Sequence, residues 1–337
     1  MPENRQVVRS LTSAGGEREY LVVVPEGYSA QIIYALGDPL AAGVPAFKND
    51  GTDTAFDQRA GDHHDGMEWF GLDASGKPSN SFNSRGILAV NHEATTDEKL
   101  SSFFIHANGG ASTLPRPASE VDKELAIHGL SFVEVQTSGK QWAYKASSPF
   151  NRRVTTMTTA AIHGPARGSE HLVTRFSNDA TQCRGTLNNC GTGKTPWGTF
   201  VSGEENWYGY FHRDVKDDER RKQDKQVQAL NRYGRKAGAA SRHGWESAGP
   251  QDQYVRWNNG ALAASAKEDY RNEMNTFGYV VEVEAPAEGP SLNITSLIRN
   301  AGEISADRGN VTLAALAVNQ EGRISAKTAL QAGVSLP

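Results

Sequence analysis

A thiol, two adjacent carboxylates and two amide side chains are gathered between Gly185 and Phe211, in GTLNNCGTGKTPWGTFVSGEENWYGYF. Cys190 follows Asn188 and Asn189, and Glu204 and Glu205 come after a turn-like segment that carries Pro196 and Trp197. The stretch reads as strand, turn, strand. Its polar groups would make a poor core, whereas thiolate and carboxylate are metal ligands, so the stretch suits one wall of a metal site.

Two other chemistries are suggested by the same letters. Gly193-Lys194-Thr195 resembles the end of a phosphate-binding P-loop, but that motif needs a Gly where Asn188 stands and a helix after the Lys-Thr pair. Pro196 and the β-rich WGTFVSG follow instead. Cys183 and Cys190, the two cysteines of the chain, cannot fill a four-ligand structural zinc site alone, and their spacing is not that of a Cys-x-x-Cys redox pair. A disulfide between them and a lone Cys190 thiolate ligand both stay open on local grounds.

Three further places carry groups of the same kind. Asp62, His63, His64 and Asp65 precede the apolar run of MEWFGL, either as a metal-binding cluster or as a polar turn before a strand; neither an EF-hand loop nor a helical zinc pair fits the spacing. RGILAVNHEATTDE reads as a buried strand ending in Asn91-His92-Glu93, which would fix a carboxylate on rigid backbone facing a cleft. In NTFGYVVEVEAP, Glu282 interrupts an apolar strand, and a buried Glu is costly unless it is paired or bound to metal.

The elements that must position these groups are short. The chain has 337 residues with 37% hydrophobic content, 34 glycines and 14 prolines, a balance that favours many turns and short strands over long helices. The first 16 residues read as a loose lead-in, EYLVVVP as a first strand, and GYSAQIIYALGDPL as a second apolar run closed by a turn. EVDKELAIHGLSFVEVQ gives a short helix or polar turn leading into a strand, and QWAYK and the residues from Asn151 to Met157 give further strands. The charge-rich segment from Arg213 to Lys236 predicts an exposed helix or a surface insertion outside the β framework. A net charge of −4 offers no general field for polyanions, so nucleic acid is not an expected partner. No run approaches the roughly 18 apolar residues of a membrane span, and MPENRQVVRSLTSAGG contains no apolar export signal, so a soluble chain is expected.

Taken in order, VPEGYSAQIIYALGDPL, HHDGMEWFGL, RGILAVNHEATTDE, IHGLSFVEV, NRRVTTMT, the central stretch and NTFGYVVEVE resemble the PhoX-type alkaline phosphatases, from about Glu19 to Glu284. The resemblance implies an all-β fold, a six-bladed β-propeller, with a top-face cluster of ferric iron (Fe3+) and calcium (Ca2+) that hydrolyses phosphate monoesters. It implies that Cys190 is an iron-ligating thiolate and Glu282 a carboxylate bridging iron and calcium, both at the catalytic centre, and that Glu93, Glu204 and Glu205 serve the calcium sites. It also favours the thiolate over the disulfide at Cys190. Family members are periplasmic or secreted.

After Glu284 the likeness stops: no counterpart is found to the family's basic segment, His-Glu motif and later blades, which supply another Glu and a phosphate-binding Arg. The expected organisation is a lead-in over 1–16, a partial propeller over 17–285 and a divergent segment over 286–337, with an open ring, an incomplete site and little phosphatase activity. A non-catalytic calcium-binding β-propeller fragment is the alternative, and a calcium-dependent lactonase is a third reading that the Cys190 thiol disfavours.

Overall fold

In a computed structural model of the chain, side chains are described for residues 24–95 apart from 29 and 82, and for residues 113–285 apart from 140 and 223. Elsewhere only strand backbone is described, within 7–23 and 293–326. The fold is mostly β, with antiparallel sheets and a few short helices. Strands β1 (Val7–Thr12) and β2 (Arg18–Val23) form a ladder of their own. The first large sheet has the order β3 (His64–Gly71), β4 (Arg85–His92), β5 (Gly129–Ser138), β6 (Gln141–Tyr144), with β7 (Arg152–Val154) also pairing with β5.

β4 is the expected buried strand. Its ILAV run lies between β3 and β5, with Ala89 opposite Glu68 on one side and Phe132 on the other, so its backbone groups are satisfied by two neighbours. The run GYSAQIIYALGDPL forms no long ladder; Pro39 makes an isolated bridge to Arg59, and Tyr34 and Leu40 pack near Val90, Val133 and Val135.

The second large sheet has the order β10 (Asn189–Lys194), β11 (Thr199–Glu204), β12 (Val280–Glu284), β13 (Asn293–Thr295), β8 (Thr159–His163), β9 (Gln182–Arg184). All its pairs are antiparallel except β13 with β8. The central stretch is therefore a hairpin on the sheet edge, and the Lys-Thr pair ends a strand rather than opening a helix. Farther along, β14 (Leu297–Asn300) pairs with β16 (Ala317–Gln320), and β15 (Glu303–Ala306) with β17 (Arg323–Ala326), both in parallel. Among the described residues neither large sheet closes into a ring.

One core joins the two sheets. Phe70, Ile87, Leu130 and Phe132 from the first meet Ile162, Phe200, Val281 and Val283 from the second, with the Phe132 and Phe200 rings edge to face at 5.7 Å. Each such side chain contributes about 1.5–3 kcal/mol by leaving water. Strict alternation in β12 buries Val281 and Val283 and turns Glu282, which interrupts the apolar run, to the other face, where it is half-buried and paired with Trp197 and Thr199.

Between β11 and β12 the chain forms α2 (Asp217–Arg220), α3 (Lys225–Arg232), α4 (Asp252–Val255) and 3-10 turns around a second, aromatic core. Trp245, Trp257, Tyr210, Phe211 and Phe277 form it, together with Val121 and Leu125 of the earlier helix α1 (Ala118–Ile127). At the end of α1, Gly129 has φ +103° and a Cβ there would lie 2.1 Å from the Val154 carbonyl, so only glycine lets β5 start so close to β7.

The segment from Arg213 to Lys236 is helical and outside the sheets, as its charge pattern predicts, but it is not a surface insertion. Arg213 and Asp217 are fully buried, and Arg221 and Arg235 nearly so. Asp217 accepts from Arg213 Nε at 2.7 Å, Arg221 Nε at 3.0 Å and the Ala261 amide at 2.7 Å. Mixed charges enter an interior when each finds its partner there. Among the described residues no helix is long and apolar enough to cross a membrane.

Candidate metal centre

The site forms where the edge strands of the two sheets, β3 and β10, approach each other. Each carries a register shift at this point, between His64 and Met67 in β3 and between Asn189 and Thr192 in β10. Such bulges re-aim the side chains they contain, here Asp65 and Cys190. Gly66 permits the approach, because a Cβ on it would lie 2.4 Å from Thr192 Cγ2 and 2.6 Å from the Cys190 carbonyl. The Asn91 side-chain amide donates to that carbonyl at 2.6 Å, and the Glu93 amide donates to the His63 carbonyl at 3.0 Å.

One ligand atom each from Asp65, Glu93 and Cys190 lie within 4.8 Å of one another. Cys190 and Glu93 are half-buried and Asp65 is exposed, so the group opens to solvent. Asn188, with φ 52°, donates from Nδ2 to Glu93 Oε1 at 3.1 Å, and its carbonyl receives the Glu205 amide at 2.9 Å. Glu205 is hydrogen-bonded through its side chain to Glu93, which places a fourth acidic group beside the cluster. Burial and the negative charges of Asp65 and Glu205 raise the Glu93 carboxyl above the usual range. The Cys190 thiol is pushed up to about 12, first by its hydrogen bond to Asp65, then by burial and the surrounding carboxylates. A thiol held protonated among carboxylates gives up its proton to a cation.

The two cysteines are unbonded; Cys183 is buried in the core between the sheets, so the disulfide alternative is not realised. Of the carboxylates expected at the site, Glu93 and Glu205 are brought to Cys190. Glu204 is not: it is buried, its Oε2 accepts from the amides of Gly278 at 2.8 Å and Tyr279 at 3.2 Å, and its Oε1 accepts from the Leu187 amide at 3.3 Å. Burial raises it to about 7 despite these donors. It clamps the loop before Cys190 to the entry of β12. Glu282 also lies apart, on the neighbour of β11, with its Oε1 accepting from Trp197 Nε1 at 2.7 Å and Thr199 Oγ1 at 2.6 Å at the turn end of the hairpin.

Asp65 was visible in the sequence as one member of the Asp-His-His-Asp cluster, and a Gly following it inside a strand was the available sign of a bulge. His63 is exposed, whereas the side chains of His64 and His92 face inward. His64 stacks on Tyr34 at 5.3 Å and meets His92 at 4.8 Å, while His92 Nε2 lies 2.8 Å from Ser131 Oγ. Burial lowers both imidazoles, which form a neutral backing to the cluster.

The sequence model of the family described as Alkaline phosphatase PhoX matches residues 11–296. The chain belongs to this family. Its structure is similar to that of Pseudomonas fluorescens PhoX in complex with vanadate, a transition state analogue, with a TM-score of 0.67 and 26% sequence identity over 86% of this chain. The match spans 43% of the length of that PhoX structure. No curated protein matches the chain.

The residues at the bulges fit a metal ion by their chemistry. Carboxylate oxygens suit calcium, and the pairing of a thiolate with carboxylates suits iron. The fit rests on the convergence of Asp65, Glu93 and Cys190 and on the proton that the Cys190 thiol retains among these carboxylates.

Proposed function

We propose that the protein is a metal-dependent phosphatase acting on phosphate monoesters, and that its two large sheets are blades of the family's six-bladed propeller. The observation that carries this reading is the meeting of Asp65, Glu93 and Cys190 within 4.8 Å at the junction of the sheets, in a chain of the PhoX family. Vanadate bound to the similar Pseudomonas PhoX, and named there as a transition state analogue, supports a phosphate ester as substrate.

In this reading Cys190, Asp65 and Glu93 would hold iron and calcium, with Glu205 beside Glu93. Such cations supply positive charge that neutralises a phosphate ester and stabilises its oxygens as the ester bond breaks. The chain's own residues prepare the site. Asp65 receives the Cys190 thiol hydrogen bond and is placed to take that proton when the thiolate is needed. Asn188 orients Glu93 from its left-handed backbone position, and Glu204 holds the loop that presents Asn188 and Cys190.

Glu282 favours a second reading, a calcium-binding β protein without catalysis, because its carboxylate would have to leave Trp197 and Thr199 to bridge ions at Cys190. Iron and calcium analysis of the purified chain, with an aryl phosphate assay, separates the two. The phosphatase reading expects both metals and turnover that Cys190→Ala removes, while Glu282→Gln keeps the metals bound. Calcium binding without turnover would support the second reading and refute the first.

A further inference from the structure

We propose that His64 and His92 are positioning residues for the metal centre, and that the contact of their rings on the inner side of the β3–β4 ladder sets the separation of the Asp65 and Glu93 carboxylates. The inference rests on the metal-dependent reading above and names what holds two of its ligands at their distance.

Each ring immediately precedes a carboxylate of the cluster, His64 before Asp65 and His92 before Glu93, and each turns in where the residue after it turns out. The two histidines are cross-strand partners at the end of the ladder, with ring centroids 4.8 Å apart and 60° between the planes. Side chains paired in this way fill the interval between two strands, so neither strand end can shift without displacing both rings. Past this pair the Glu93 amide donates to the His63 carbonyl at 3.0 Å, and β3 enters the bulge that carries Asp65.

The ring pair is anchored from three other segments. Tyr34 stacks on His64 at 5.3 Å with 29° between the planes. Ser131 of β5, the diagonal neighbour of His92 on the same face, places its Oγ 2.8 Å from His92 Nε2, and the Gly61 amide donates to the same nitrogen at 3.3 Å. An amide N–H can only donate, so Nε2 carries the lone pair, the ring proton sits on Nδ1 and the Ser131 hydroxyl donates as well. Gly61 closes over the ring so tightly that a Cβ there would lie 2.5 Å from His92 Cγ and 2.1 Å from the Ile127 carbonyl. An apolar side chain at 92 would fill the volume and leave the buried Ser131 hydroxyl and Gly61 amide without this acceptor. Groups that do not touch an ion but fix its ligands count in metal affinity much as ligands do.

The test uses the full chain, with calcium affinity from calorimetry, iron loading from the visible thiolate-to-iron charge-transfer absorption, and urea midpoints alongside. His92→Leu and His64→Leu should each weaken calcium binding by about 10- to 100-fold, the range for losing a group that orients a ligand, and shift or remove the absorption. His92→Gln, whose Oε1 can accept from Ser131 and Gly61 in place of Nε2, should restore most of the affinity. Arg213→Ala loses stability in the helical segment and should keep wild-type calcium affinity in the folded protein, which separates positioning from general destabilisation. Ser131→Ala stands in if His92→Leu does not fold, with a smaller loss in the same direction. Wild-type affinity and absorption in both leucine variants, or in Ser131→Ala where it stands in, overturn the proposal, as does a His92→Gln chain no better than His92→Leu. A wild-type chain that takes up neither iron nor calcium refutes the metal reading itself, a result seen before any variant is made.

Discussion

Cys190 and Asp65 show how a residue's chemistry is set by what lies across from it. With Asp65 accepting its hydrogen bond and carboxylates around it, the Cys190 thiol stays protonated at pH 8, where a free cysteine is partly thiolate. Alkylation by iodoacetamide in the metal-free protein should therefore be slow at Cys190, and the buried Cys183 serves as an unreactive internal control. Asp65→Ala removes both the hydrogen bond and the nearest charge, so the pKa should fall towards its ordinary value and the rate at pH 8 should rise about 10-fold or more, each unit being a factor of ten in thiolate. An unchanged rate by mass spectrometry would mean that Asp65 does not govern the thiol. The same linkage makes metal binding release protons, so metal affinity should increase with pH through this range.

At the scale of elements, the helical segment after β11 is an interior piece rather than an appendage. Arg213, Asp217 and Arg221 form a buried network whose centre, Asp217, is also held by the Ala261 amide and kept below the usual carboxylate range, with Arg221, Ala261 and Arg213 overcoming the cost of burial. Removing one partner strands a charge without water. Arg213→Ala should lower stability by about 3–5 kcal/mol, read as a shift in the urea midpoint. Replacing 213–236 with a short Gly/Ser linker should cost more still, since Leu230 and Arg235 also leave the interior. A linker variant as stable as wild type would return the segment to the surface role its composition suggests.

For the molecule as a whole, function depends on two sheets meeting at their edges, and Gly66 is the contact that sets the spacing. Gly66→Ala would drive a methyl into Thr192 and the Cys190 carbonyl, and the carbonyl cannot rotate away as a side chain could. The cost should be about 1–3 kcal/mol in stability, as for other overpacked sites. Loss of bound metal should exceed what that destabilisation explains, because the displacement separates Asp65 from Cys190. Metal content at a temperature where the variant remains folded checks this; full metal occupancy would show that the two edges can shift without opening the site.

The sequence by itself determined the strands and some of the chemistry. The ILAV run made β4 a central strand with Glu93 just past its end, and the Thr-Pro-Trp-Gly turn between β-rich runs made β10 and β11 a hairpin with Cys190 near one end. These features follow from local periodicity and turn chemistry, which a linear sequence records. The tertiary structure decided which groups meet. Neighbouring carboxylates at a strand end face opposite ways, so of Glu204 and Glu205 only one could reach the cluster, and the close passage of the Gly278-Tyr279 amides drew Glu204 inward. Glu282 was placed by the same alternation on the face away from the core, but only the pairing of β12 with β11 put it against Trp197 and Thr199. Asp65 reached Cys190 through two bulges on strands more than a hundred residues apart, and the local Arg213–Asp217–Arg221 network was taken inside by the Asn259 carbonyl and the Ala261 amide, which lie outside 213–236. Contacts of this range leave no period in the chain; they exist only once the sheets have packed.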